Sequence, residues 1–133
     1  MKKITLVLLL CVSVFSCENS IENTNTIKGK WNVTQIIGGF AQPKNYEEGS
    51  FTWNFNFNEN TITIANTSEV FNTRDAPTFT NNQGGIYPFK ITKENEIDYL
   101  IVGDRKGTIK LTDNELIIDF GIAFDDIAYI FKR

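Results

Sequence analysis

Histidine is absent from all 133 residues, and the two cysteines, Cys11 and Cys17, both fall close to the N-terminus. From residue 18 onward there is neither an imidazole nor a thiol. Ser-His and Cys-His nucleophiles, histidine acid–base catalysis, zinc sites with N or S ligands and histidine-held haem are excluded from that part of the chain. No disulfide can form within it, so its stability rests on packing. Positive charge is also scarce: 13 Lys and Arg stand against 16 Asp and Glu, a net charge of −3. Such a balance argues against nucleic acid as a partner and offers no polybasic surface to anionic lipid. Carboxylates remain as candidates for chemistry. Glu47-Glu48, Asp125-Asp126 and Asp113-Asn114-Glu115 each sit where turn geometry and solubility already favour acids. Gly38-Gly39 and Gly84-Gly85 follow no strand-to-helix pattern and read as loop ends, not phosphate cradles. The expectation is a non-catalytic protein with no metal and no cofactor.

What is present begins with Met1-Lys2-Lys3 and an apolar run over residues 4–16. A helix needs roughly 20 residues to cross the hydrocarbon core, and this run is too short. A charged start, a short apolar stretch and a small residue before the break have the form of a secretory signal peptide. Val14-Phe15-Ser16-Cys17 resembles the lipobox of bacterial lipoproteins. The resemblance implies that Cys17 is acylated, becomes the new N-terminus and attaches the protein to a membrane of the bacterial cell envelope, with the outer membrane expected and the face left open. Residues 1–16 are then the signal peptide, residues 17–26 the lipidated cysteine and a polar linker, and residues 27–133 the folded domain. Lys2 and Lys3 leave with the signal, so eleven basic residues face sixteen acidic ones and the mature charge is −5.

From Gly29 the chain alternates with period two. Phe51, Trp53, Phe55 and Phe57 share one face while Thr52, Asn54, Asn56 and Asn58 share the other, the pattern of a half-buried strand. Strands are predicted over 29–37, 51–57, 61–65, 85–92, 97–103, 106–112, 115–120 and 126–132. With no helical segment between them they must pair antiparallel, since parallel pairing needs long crossovers. The fold class is all-β, an eight-stranded antiparallel up-and-down barrel. Long or irregular connections (38–50, 66–84 and 121–125) are odd-numbered, whereas the compact ones (58–60, 93–96 and 113–114) are even-numbered. In a meander the two sets lie at opposite ends. The first strand therefore starts at a closed end, and the long loops gather at a rim that would point away from the membrane.

Gly29-Lys30-Trp31 opens the first strand and Arg133 ends the last. The pairing resembles lipocalins and related calycins, especially short lipocalin-like lipoproteins of Bacteroidetes-like bacteria, over residues 27–133. The resemblance implies that Arg133 packs across the Trp31 indole and closes the barrel, with Gly29 beside them. A guanidinium on an indole face gains about 0.5–2 kcal/mol.

Sixteen residues are expected to point inward: Phe51, Trp53, Phe55, Phe57, Ile62, Ile64, Phe89, Ile91, Tyr99, Ile101, Ile109, Leu111, Leu116, Ile118, Tyr129 and Phe131. An eight-stranded barrel is either filled by such side chains or holds one small ligand, and the sequence leaves both open. If a ligand is held, few cations are available to meet an acidic group, so it is expected to be small, neutral and hydrophobic or aromatic. Candidate contacts are Trp53, Phe55, Phe89 and Tyr99 inside and Phe40, Phe71, Phe79 and Phe124 at the rim. The alternative is a solid-core protein that contacts another envelope protein, of unknown identity, through loops 38–50 and 66–84.

Overall fold

The structure, a computed structural model, describes residues 27–39, 42–68 and 84–133. Cys17, Phe40, Phe71 and Phe79 lie outside the described residues. Nine strands follow one another: β1 (Gly29–Gly38), β2 (Lys44–Asn45), β3 (Phe51–Asn56), β4 (Thr61–Asn66), β5 (Gly84–Glu94), β6 (Ile97–Val102), β7 (Arg105–Leu111), β8 (Glu115–Asp119) and β9 (Ile127–Lys132). Neighbours in sequence pair antiparallel from β3 through β9, and β1 pairs with both β3 and β9. Eight strands thus close into an up-and-down barrel with no free long edge. The two-residue β2, which the sequence pattern did not suggest, adds to β1 opposite Gln35 and Ile36.

The ends of the barrel are as the connection lengths imply. Hairpins of a few residues join β3 to β4, β5 to β6 and β7 to β8 at the end where β1 begins. At the opposite rim β1 ends and β3 begins, β4 ends and β5 begins, and residues 120–126 join β8 to β9, together with the tight Gly103-Asp104 turn between β6 and β7. Within the β8–β9 connection, a 3₁₀ turn at Ile122–Phe124 is held by Asp119, whose Oδ1 accepts from the Gly121 and Ile122 amides at 2.8 Å.

A bulge between Val33 and Gln35 sets the phase of β1. Trp31 and Val33 point inward, the extra residue is absorbed, and Ile36 rather than Gln35 is buried next. Without that slip the second half of β1 would turn Gln35 into the core, since a one-residue shift exchanges the two faces of a strand. On β7, Gly107 is buried because the ring of Phe120 occupies the space: a Cβ there would lie 3.0 Å from the ring.

The core is aromatic. Trp31, Trp53, Tyr129, Phe51, Phe55 and Phe131 are its largest fully buried side chains. Trp53 sits 5.2 Å from both Tyr129 and Phe131, centroid to centroid, and 6.2 Å from Phe55. Phe89 extends the stack edge-on, 5.7 Å from Phe55 and 5.3 Å from Phe57. These are the edge and tilted geometries that ring quadrupoles favour.

One strand reads the other way round from its sequence. Leu100 and Val102 are the buried residues of β6, and Tyr99 and Ile101 stand on the outer face. The β5 register decides it: Phe89 pairs with Val102 and Ile91 with Leu100, so Tyr99 falls opposite Thr92. Outside the barrel, Tyr99 carries the Lys106 ammonium 4.2 Å above its ring.

Candidate ligand-binding site

At the end where β1 begins, three residues lock together. The Trp31 indole N–H donates to the Ile27 carbonyl at 2.9 Å, which draws Ile27 into the barrel end as a buried plug. Arg133 lies 4.1 Å above the Trp31 ring and its Nη2 donates to the Lys28 carbonyl at 2.6 Å. Gly29, the first residue of β1, precedes Trp31 at φ 94°. First and last strands are thereby joined where the β1–β9 ladder ends, at the pair Asn32 and Lys132. The sequence-based assignment of Trp31 and Arg133 to one closed end describes this geometry.

Among the described residues, those considered for ligand contact inside the barrel are packed against one another or face outward. Trp53 is fully buried, Phe55 and Phe89 pack against it in series, and Tyr99 is outside. At the rim, Phe124 is 88% exposed, and Ile122 on the same 3₁₀ turn is partly exposed. Beside them Arg105 reaches from the start of β7 to pair with Asp126, its guanidinium 5.4 Å from the centre of the Phe120 ring. Asp126 is thus committed to a structural ion pair. Glu47, Glu48, Asp113 and Asp125 are solvent-exposed turn residues.

Open space exists elsewhere, at the closed end. The β6–β7 ladder stops at Tyr99 opposite Thr108, although β6 begins at Ile97 and β7 continues to Leu111. Beyond the last pair the strands part, and a cavity of about 320 Å³ lies between them. Its apolar wall is wholly aliphatic: Ile91 from β5, Ile97 from β6, Ile109 and Leu111 from β7, and the plug residue Ile27. Glu96, Asp98 and Lys110 supply its charged lining. The volume falls near the lower limit of small-molecule sites, about 300–1,000 Å³.

The charged groups are unequally committed. Glu96 is met by Lys93 at 3.7 Å, a pair exposed to solvent and worth little. Asp98 is half-buried, on the same strand face as Leu100 and Val102, and makes neither a side-chain hydrogen bond nor an ion pair among the described residues. Lys93 stands opposite Asp98 in the ladder, but its ammonium turns to Glu96. Lys110 is exposed and likewise without an ionic partner among the described residues. Sequence reading missed this slot because it arises from a ladder that ends early, and pairing length has no local signature. Asp98 carried the one legible trace, an acid at a position that alternation places with Leu100 and Val102.

No family model matches the chain, and no curated protein matches it. A solved structure of an uncharacterized protein from Bacteroides eggerthii is similar over 80% of this chain and 98% of that one, at 10% identity and a TM-score of 0.49.

Proposed function

We propose that this chain is a lipid-anchored, lipocalin-like envelope protein that binds a small aliphatic molecule without catalysis, in the slot between the parted ends of β6 and β7. The observation that carries this reading is the contrast between the stacked aromatic rings at the centre of the barrel and an aliphatic cavity of about 320 Å³ at its closed end. The Trp31–Arg133 closure supports the lipocalin-like assignment. Cys17 in its lipobox-like setting supports the anchor. Nine residues separate Cys17 from Ile27 in the sequence, so an anchored chain would hold the Ile27 end, and with it the slot, toward the bilayer.

Octanol is a suitable neutral probe, an aliphatic chain with a single hydroxyl. The wild-type chain is expected to bind it saturably in calorimetry. Ile109→Trp, which places an indole in the slot from a half-buried wall position, is expected to weaken that binding at least tenfold while leaving the far-UV spectrum unchanged. Equal binding by the two proteins would remove the slot from the account.

A contact protein working through loops 38–50 and 66–84 is the second reading. Phe124, exposed at the same rim, is the observation in its favour.

A further inference from the structure

We infer that the slot selects an aliphatic chain bearing an ammonium group, with Asp98 as its counter-ion. The inference rests on the slot's being a binding site and adds the charge of its ligand. The ligand expected from the sequence is small, neutral and hydrophobic or aromatic, at or in the barrel mouth; the slot lies at the other end and has different chemistry.

No aromatic side chain lines the cavity, so a flat ring would find no stacking partner, whereas an alkyl chain meets isoleucine and leucine on several sides. Polarity then decides the head group. Two carboxylates and one ammonium line the space, which leaves it net negative. Of the three, Asp98 is half-buried on the inner face and unpaired, the position from which a carboxylate gains most by receiving a charged donor. Lys110 is exposed on the outer face of β7 and remains solvated without a ligand. Glu96 sits at the hairpin tip, where Lys93 already offsets it. An alkylammonium laid along Ile91, Ile109 and Leu111 with its head at Asp98 satisfies both the apolar wall and the idle acid.

Calorimetric titration of the full chain with octylamine, octanol and octanoate separates the components. A charge-assisted hydrogen bond at a partly open site predicts octylamine binding roughly tenfold tighter than octanol, with octanoate weakest. Added salt is expected to narrow the gap between octylamine and octanol. In Asp98→Asn, which keeps shape and removes charge, octylamine is expected to fall to the level of octanol while octanol binding is unchanged. Glu96→Gln is expected to retain the preference. Octanol binding without an octylamine preference, or a preference that survives Asp98→Asn, overturns the inference and leaves the slot as an aliphatic site. Absence of binding by all three probes overturns the slot itself.

Discussion

Trp53→Ala is expected to remove about 3–5 kcal/mol of stability, the range for truncating a large buried aromatic. Set against a typical total of about 5–15 kcal/mol, that is a large share of the whole. The reason is position as well as size. Trp53 is fully buried, and its ring meets Phe55 on its own strand and Tyr129 and Phe131 on β9, reaching past β1 to do so. Removing it opens a void among rings that belong to different strands, which cannot collapse without disturbing the closed ladder. For a domain of this size a loss of that order lowers the melting temperature by roughly 15–30 °C. Trp53→Phe keeps a ring against the same neighbours and should cost far less. Thermal unfolding followed by far-UV circular dichroism gives both values. A Trp53→Ala loss below about 1 kcal/mol would show that the interior is not close-packed.

Gly38→Ala is expected to cost about 2–5 kcal/mol from two sources. Gly38 ends β1 at φ 102°, a conformation that costs a side-chain-bearing residue of order 1–3 kcal/mol. Its added Cβ would also collide with the Asp126 carbonyl oxygen and lie 3.0 Å from Ile122 Cγ1. The first obstacle is backbone and cannot swing aside, so the rim end of the β1–β9 ladder, where Gly38 pairs with Ile127, must shift. Gly49→Ala serves as the control. Gly49 has φ 82° but nothing within 4 Å of an added Cβ, so only the dihedral cost applies. Equal losses for the two variants, measured by urea unfolding, would assign the whole effect to φ and none to the close approach.

Alternation placed all eight barrel strands within a few residues, because apolar and polar positions alternate cleanly where one face meets the core and the other meets water. It failed on the facing of β6. Tyr99-Leu100-Ile101-Val102 is apolar at every position, so period two carries no phase, and only pairing with Phe89 and Ile91 chooses Leu100 and Val102 for the inside. In β1, the slip at Thr34 is a bulge, visible in sequence only as Ile36 falling out of step with Trp31 and Val33. Closure was legible for a different reason. Trp31 and Arg133 lie at opposite chain ends, and counting strands puts both ends of an eight-stranded meander on the same side. Apart from Asp98, the slot was not legible. It depends on β6 and β7 parting after Tyr99 and Thr108, and residues on both sides of that point have ordinary strand character.

These features share a physical origin. The described residues contain no cysteine, so their stability comes from packing, and Trp53, Tyr129, Phe131 and Phe55 occupy the centre of the interior for that purpose. Space for a ligand then arises where the sheet opens rather than where it closes. At that point Ile97 is 45% exposed, and Ile27 caps the barrel end.

Isoleucine methyl resonances give the most direct test of where a ligand goes. During octanol titration the methyl signals of Ile91, Ile97 and Ile109 should shift together in one saturable process. Those of Ile62 and Ile118, fully buried in the barrel, should stay in place. Shifts at Ile62 and Ile118 with the slot methyls unmoved would contradict the account and return the binding site to the barrel interior.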